Sequence, residues 1–266
     1  MGALSNYSEN KALDHVLKNT AFTRPASLFL GVCTANPADT GTGGTITEPS
    51  GDGYTRMSCN DWNAAASRAT SISTVITFPT ATGIWGNMAY FAILDTSVLS
   101  TGNLIGYGAI SPAKTIVTND VLVFDHGDVD VSFNAGGASD YLANAMLDHI
   151  FKGDAFSQPT NEYIALTIAT ILDADTGTTI SEPGENYARI LHNTWHIAAA
   201  GASSNSGTVI FDKATGGTWG TITDIAICTA LVTGQVLLHG AATISKEILI
   251  SDIAKFTDGE IDLTAD

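Results

Sequence analysis

The segment Thr45-Ile46-Thr47-Glu48-Pro49 recurs 134 positions later as Thr179-Ile180-Ser181-Glu182-Pro183. Similar pairs occur on both sides of it, and small loop insertions shift the offset to 132 near the end of the chain. Further matched positions are Leu13-Asp14-His15 with Leu147-Asp148-His149, Tyr54 with Tyr187, Arg56 with Arg189, Phe78 with Phe211, and Lys114 with Lys246. Self-similarity at a nearly fixed period is typical of chains built from repeated structural units. The sequence therefore predicts one folding unit present in two copies.

A short run of small residues, Asn134-Ala135-Gly136-Gly137-Ala138, separates the two copies. This composition suits a linker or a tight turn. We place the boundary near Gly136, which defines a first repeat of residues 1–134 and a second repeat of residues 139–266. The chain length of 266 residues agrees with two domains, because domains cluster near roughly 100 to 150 residues.

Each repeat opens with a helical pattern. In residues 5–19, Ser5 or Asn6 is placed to cap the helix, and the apolar residues that share one face are Leu13, Val16 and Leu17. The second repeat has Asp140 at the start of a similar pattern, which ends at Gly153, a typical helix stop. Helices this short are marginal in water, so each must be held by its apolar face.

The sequence after each helix consists of short runs of threonine, valine, isoleucine and aromatic residues, broken by glycine, asparagine, aspartate and proline. Such runs are typical of strands. In the first repeat they cover residues 27–34, 54–61, 74–78, 88–94, 104–110 and 129–133. No crossover helices lie between them, which disfavours a parallel sheet. The predicted fold is mainly β, with two tandem antiparallel β-sandwich units, each preceded by an N-terminal α-helix.

The charge balance of the chain limits its partners. Eleven lysines and arginines stand against 27 aspartates and glutamates, for a formal net charge of −16. This charge repels phosphate backbones, so nucleic acid is not an expected partner. No apolar run approaches the roughly 20 residues that span a bilayer, so no membrane partner is expected either. The N-terminal residues lack the pattern of a secretory signal, and we expect synthesis in a cytoplasm.

Candidate metal ligands are few, and their spacing is unspecific. His192 and His196 are four positions apart but lack the glutamate and the helix of a zinc protease motif. Aspartates that could offer oxygen ligands to a hard cation lie in glycine-rich or turn-like segments, at Asp125, Asp128, Asp130, Asp173 and Asp175. Their spacing does not complete a calcium-binding loop. Cys33, Cys59 and Cys228 are too widely spaced for a thiolate site. We expect no bound metal and no cofactor.

Catalytic motifs give no support for an enzyme. The sequence has no nucleophile elbow, no phosphate-binding loop and no nicotinamide fingerprint. A pair of carboxylates for glycoside cleavage stays open, because the separation of such a pair is spatial. The tryptophans match between repeats, Trp62 with Trp195 and Trp85 with Trp219, which favours a structural core over a platform for stacking sugars.

Several segments together resemble a known family. They are the opening Leu4-Ser5-Asn6-Tyr7-Ser8-Glu9-Asn10-Lys11-Ala12-Leu13-Asp14-His15-Val16-Leu17, then Ala21-Phe22, Ala35-Asn36-Pro37-Ala38-Asp39, Gly53-Tyr54-Thr55-Arg56, Phe78-Pro79 and Trp85-Gly86. They are similar to a family of tailed-bacteriophage virion proteins labelled as tail-fibre or head accessory proteins. Family members are commonly single units of this layout, so the chain resembles a tandem duplication. The resemblance implies a structural, noncatalytic role and supplies no active-site residues.

Charge and resemblance together lead to an expected function. We expect a virion protein that decorates the outside of the capsid, because a strongly acidic exterior is compatible with solvent and not with packaged DNA. The expected partners are the major capsid protein or other virion proteins, with the chain as a homo-oligomer. Leu13, Val16 and Leu17 would form an attachment helix. The alternatives are a tail or tail-fibre component that binds a host glycan and a polysaccharide depolymerase.

Overall fold

A computed structural model of the chain describes residues 2–134 and 137–265. Short strands joined by loops dominate both repeats, and a helix lies near the start of each. The prediction of a mainly β fold led by helices is confirmed. The predicted boundary at Gly136 lies outside the described residues.

The described part of the first repeat contains one helix and nine strands. In chain order they are β1 (Gly2–Leu4), α1 (Asn6–Leu17), β2 (Phe29–Cys33), β3 (Met57–Ser58), β4 (Ala69–Ser71), β5 (Ile76–Thr77), β6 (Gly86–Leu94), β7 (Leu104–Ile116), β8 (Val123–Phe124) and β9 (Asp130–Ser132). The six predicted runs each contain or overlap one of these strands, and β1, β4 and β8 are additional.

From residue 137 onward the described residues follow the same order. The first strand of this part lies in the predicted linker, because Gly137 and Ala138 pair with β16. The elements are β10 (Gly137–Ala138), α2 (Asp140–Leu147), a π-helical turn (Asp148–Lys152), β11 (Tyr163–Thr167), β12 (Ile190–Leu191), β13 (Ala202–Ser204), β14 (Val209–Ile210), β15 (Gly220–Cys228), β16 (Val236–Ile248), β17 (Lys255–Phe256) and β18 (Asp262–Thr264). Ser139, one residue before the predicted cap Asp140, accepts the Leu142 backbone N–H at 3.2 Å. The turn ends where predicted, at Gly153 with φ 87°.

The strand order recurs between the repeats. The larger sheet of the first repeat runs β3-β2-β6-β7-β1-β9-β4, and that of the second runs β12-β11-β15-β16-β10. The pair β13-β18 corresponds to β4-β9, and β14-β17 corresponds to β5-β8. Pairing is antiparallel throughout the described strands except between β1 and β9, which are parallel. The duplication seen in the sequence is therefore a duplication of topology.

The chain forms two compact units, and each is built from three segments. Unit 1 contains the described residues of Met1–Glu9, Thr23–Asn134 and Asn144–Phe156. Unit 2 contains those of Asn10–Phe22, Ala135–Ala143 and Ser157–Asp266. These units differ from the continuous ranges 1–134 and 139–266 because each takes a helical segment of the other repeat. Unit 2 contains most of α1, and unit 1 contains the second half of α2 together with the π-helical turn. We call this arrangement the helix exchange.

In unit 1, the segment 144–156 is held by an aromatic contact and by hydrogen bonds. The ring of Phe151 lies 4.6 Å from that of Trp62. The Ala65 backbone N–H donates to Asp148 Oδ1 at 2.7 Å. One helical turn earlier, Asn144 Oδ1 accepts the Arg68 backbone N–H at 2.9 Å. The polar side of the helix thus binds the loop before β4 while its apolar side fills the core.

In unit 2, the segment 10–22 makes the corresponding hydrogen bonds. Asp14 Oδ1 accepts the Ala198 backbone N–H at 3.0 Å, and Asn10 Oδ1 accepts that of Gly201 at 2.9 Å. Lys18 Nζ adds a bond of 2.7 Å to the carbonyl oxygen of Trp195. Equivalent residues therefore make equivalent bonds in the two units.

The core of each unit follows the central strands of its larger sheet. One cluster in unit 1 contains Cys33, Ala92, Leu94 and Leu104, which are all fully buried. Its counterpart in unit 2 includes Cys228 beside Ala165 and Val236. Cys33, Cys59 and Cys228 are buried free thiols, so they pack as small apolar side chains.

Candidate functional site

The most elaborate polar site of unit 1 joins Glu48, Tyr54 and Arg56 beside the start of β3. Arg56 Nη2 lies 2.6 Å from Glu48 Oε2, and Arg56 Nε lies 3.0 Å from both carboxylate oxygens. The Tyr54 hydroxyl donates to Glu48 Oε1 at 2.8 Å and accepts the Val32 backbone N–H at 3.0 Å. A buried carboxylate is thereby paired with a guanidinium and hydrogen-bonded. We call this group the Glu-Tyr-Arg cluster.

Arg56 also fixes two loops. Its Nη1 donates to the carbonyl oxygens of Thr96, Val98 and Thr101, in the loop between β6 and β7, at 2.9, 3.0 and 3.0 Å. Its Nη2 reaches the carbonyl oxygen of Gly43 at 3.4 Å. A Cβ atom on Gly43 would lie 1.8 Å from the Thr101 carbonyl oxygen, so this close approach requires glycine. The arrangement is that of a structural clamp.

Unit 2 has the same cluster at Glu182, Tyr187 and Arg189. Arg189 Nη2 lies 2.7 Å from Glu182 Oε2, and Arg189 Nε lies 2.9 Å from Oε1. Its Nη1 donates to the carbonyl oxygens of Ala230 and Thr233 at 2.7 and 2.9 Å. The recurrence in both units indicates that the cluster belongs to the fold rather than to one binding site.

The electrostatics of the cluster favour a structural role over a catalytic one. Burial raises the pKa of the Tyr54 hydroxyl far above its ordinary value, and the adjacent Glu48 raises it further. Burial likewise raises the pKa of Tyr187, and it raises the pKa of Cys33 to about 12, with Glu48 adding to the shift. These groups stay protonated near neutral pH. The tyrosines therefore act as hydrogen-bond donors, and the Cys33 thiol is not activated as a nucleophile.

The four tryptophans lie inside the units. Their exposed fractions are 5% for Trp62 and Trp85 and 2% for Trp195 and Trp219. Trp85 meets Tyr54 edge to face at 5.2 Å, and Trp219 meets Tyr187 in the same way at 5.3 Å. Rings buried in this way pack the core and leave no face on which a sugar could stack.

The apolar residues of the predicted attachment helix are buried within the chain. Leu13, Val16 and Leu17 are each 1% exposed, and all three belong to unit 2. This places them in the compact unit that contains most of the second repeat rather than in the unit that contains most of their own. The chain itself therefore buries their apolar stripe.

The candidate metal ligands are separated by the fold. His196 Nε2 pairs with Asp258 Oδ1 at 3.1 Å, whereas His192 packs edge to face against Trp195. Asp175 Oδ2 accepts the Leu172 backbone N–H at 2.7 Å, and Asp173 Oδ1 lies 3.0 Å from His239 Nε2.

In the first repeat, Asp130 lies in β9, whereas Asp128 bonds within a turn. Asp128 Oδ2 accepts the backbone N–H of Asp125 at 2.8 Å, three residues earlier in the chain. Within residues 2–134 and 137–265, no three histidine, cysteine, aspartate or glutamate side chains converge as metal ligands would.

The Glu-Tyr-Arg cluster is the site that the sequence analysis missed. The match of Glu48 with Glu182, Tyr54 with Tyr187 and Arg56 with Arg189 between the repeats does not by itself indicate an ion pair. The signal that could have revealed it is the arginine that follows a glutamate by eight positions in one repeat and by seven in the other, Glu48 to Arg56 and Glu182 to Arg189. A charged pair kept in both copies of a chain with only eleven basic residues is a candidate for burial.

The fold and the buried Glu-Tyr-Arg cluster recur in both units, so the chain contains two copies of one structural unit. The family model described as podophage GP4 fiber I protein gp80 matches the chain twice, at residues 3–132 and 137–264. The chain belongs to this family of phage fibre proteins, as two tandem copies. No curated protein shows significant similarity to it. In the described residues, no helix is long and apolar enough to cross a membrane.

Proposed function

We propose that the protein is a noncatalytic structural component of a phage fibre, carried on the virion. The observation that supports this most directly is the family match, which covers nearly the whole chain in two copies and describes a fibre protein. The resemblance noted from the sequence, to virion proteins labelled as tail-fibre or head accessory proteins, agrees with it.

The interior of the units fits a structural role. Each unit places a buried arginine between a carboxylate and the carbonyl oxygens of loops, and so the loops are tied to the sheet. Buried polar groups with several hydrogen bonds rigidify the segments that they join. A fibre component has to present such loops in a fixed shape.

The proposed partners are other virion proteins and further copies of this chain. Apolar side chains are exposed at equivalent loops of the two units, Val117 and Val121 after β7 and Leu249 and Ile253 after β16. Exposed apolar groups that recur at one place in a fold are suited to contacts with other proteins. The acidic net charge of −16 disfavours nucleic acid at these surfaces.

Capsid decoration, the role expected from the sequence, is the competing virion role. The acidic charge and a structural character fit capsid decoration as well as they fit a fibre. The fibre role takes precedence because the family description names a fibre protein and not a capsid protein. Glycan binding by a fibre would have to use loop residues, since the tryptophans are buried.

Counting copies in purified virions separates these roles. We expect quantitative mass spectrometry to give a copy number that follows the tail proteins, and antibody labelling in electron micrographs to mark the fibres. A copy number that scales with the major capsid protein, with label over the head, would overturn the fibre proposal in favour of decoration. Release of reducing sugars from host polysaccharide by the purified protein would contradict the noncatalytic role.

A further inference from the structure

One position in the core differs in chemistry between the two units. In unit 1 the Cys59 backbone N–H donates to the Leu28 carbonyl oxygen at 2.9 Å, and in unit 2 the His192 backbone N–H donates to that of Glu162, also at 2.9 Å. These bonds show that Glu162 replaces Leu28 and that His192 replaces Cys59. The tryptophan beside them is kept as Trp62 and Trp195. Unit 2 thus has two titratable groups where unit 1 has a leucine and a thiol.

The three side chains of this position in unit 2 are buried. The exposed fractions of Glu162, His192 and Trp195 are 2%, 9% and 2%. The imidazole lies 5.1 Å from the indole of Trp195, with the ring planes at 85°. Among the described residues, no hydrogen-bond partner reaches His192 Nε2. We call these three residues the Glu-His-Trp cluster.

Three charged or titratable groups near the cluster each bond to a backbone group or to an exposed acid. From segment 10–22, Lys18 Nζ binds the Trp195 carbonyl oxygen and Asp14 binds the Ala198 backbone N–H. His196, four residues after His192, pairs with the exposed Asp258. None of these groups is a cause of the shifted titration of Glu162 or His192, which burial dominates. The cluster is therefore most stable when both of its titratable groups are uncharged.

We propose that the Glu-His-Trp cluster makes unit 2, and not unit 1, a pH-responsive part of the chain, packed closely while Glu162 and His192 are neutral and loosened when either becomes charged. The equivalent position of unit 1 contains Leu28 and the buried thiol of Cys59. Burial raises the pKa of Cys59 well above its ordinary value, so this site stays uncharged across the same range.

The two titrations act in opposite directions. Burial raises the pKa of Glu162 from 4.5 to about 7. Its stabilising contribution is therefore complete at acid pH and is lost as the pH rises through about 7. Burial lowers the pKa of His192 from 6.5, so its contribution is present above that value and is lost as the pH falls through the lowered pKa. Both groups are uncharged in the pH range between the lowered pKa of His192 and the raised pKa of Glu162.

Thermal unfolding of the full chain at a series of pH values tests the alkaline side of this window. Glu162→Gln fixes the group in an uncharged form, and Glu247→Gln removes an exposed acid from β16 as the matched control. Between about pH 5.5 and about pH 8.5, we expect the midpoint of the wild type and of Glu247→Gln to fall relative to that of Glu162→Gln. Parallel pH profiles for all three proteins would overturn the proposal.

A second variant and a second measurement complete the test. Glu162→Leu introduces the residue found in unit 1 and replaces Glu162→Gln in the comparison if the glutamine variant does not fold. Hydrogen exchange, corrected for the intrinsic pH dependence of amide rates, should show protection lost in residues 157–265 and kept in residues 23–134 as the pH rises. Equal loss in both ranges would overturn the assignment to unit 2.

Discussion

Replacing Arg56 by alanine should lower the free energy of unfolding by about 3 to 5 kcal/mol, the usual cost of removing one partner of a buried ion pair. The side chains of Arg56 and Glu48 are 0% and 6% exposed, so the carboxylate left behind would be buried without its counter-charge. The carbonyl oxygens of Thr96, Val98 and Thr101 would also lose their common donor. The loss is measurable as a shift of the denaturant midpoint.

Arg189→Ala is the matched comparison in unit 2. Glu182 is 21% exposed, so water can solvate part of its charge, and the expected loss is smaller than for Arg56→Ala. Arg56→Lys keeps the charge but loses the planar fork, and its midpoint should lie between those of the wild type and Arg56→Ala. Equal stability of Arg56→Ala and the wild type would show that the cluster does not stabilise the fold.

Truncation of Phe151 should have a second large effect, expressed in the strands of the other repeat. Phe151 is 1% exposed and packs on Trp62, and removing a buried aromatic ring typically costs about 3 to 5 kcal/mol. Because Phe151 belongs to unit 1 through the helix exchange, Phe151→Ala should weaken hydrogen-exchange protection in β2, β6 and β7.

Leu17→Ala is its counterpart in α1. Leu17 belongs to unit 2, and its truncation should cost about 2 to 5 kcal/mol. The weakened protection should then appear in β11, β15 and β16. The helix exchange would be refuted if each substitution affected only the strands of the repeat in which it lies.

The strands were largely predictable from sequence because their central members are long and apolar. The runs at residues 88–94 and 104–110 correspond to β6 and β7, which carry the core. The three additional strands are two or three residues long and depend on pairing partners far away in the chain. Gly2–Leu4, for example, is a strand because it lies between β7 and β9, and no local pattern of three residues can show this.

The placement of the helices could not be predicted, for a reason specific to duplicated chains. The surfaces that receive Asp14 and Asp148 are equivalent loops, around Ala198 and Ala65. Either helix would meet similar partners in either repeat, so the sequence pattern shows that the stripe is buried but not where. The tryptophans were predictable as core because their pairing between repeats already indicated a common structural role.

The Glu-His-Trp cluster illustrates a different limit. The replacement of Leu28 by Glu162 is visible once the repeats are aligned, but a glutamate beside a strand is usually taken as exposed. Only the structure shows that its side chain is buried in the same place as the leucine. Differences between internal copies at core positions are therefore a useful signal for sites that one copy has acquired alone.

The helix exchange also affects how folding depends on protein concentration. A polypeptide with a single repeat that exchanged its helix in this way would have to associate with a second molecule to complete its core. Its folding would then depend on protein concentration. Joining the repeats in one chain replaces that encounter by an intramolecular one, which does not depend on protein concentration. The duplicated chain can therefore complete both cores even at low protein concentration.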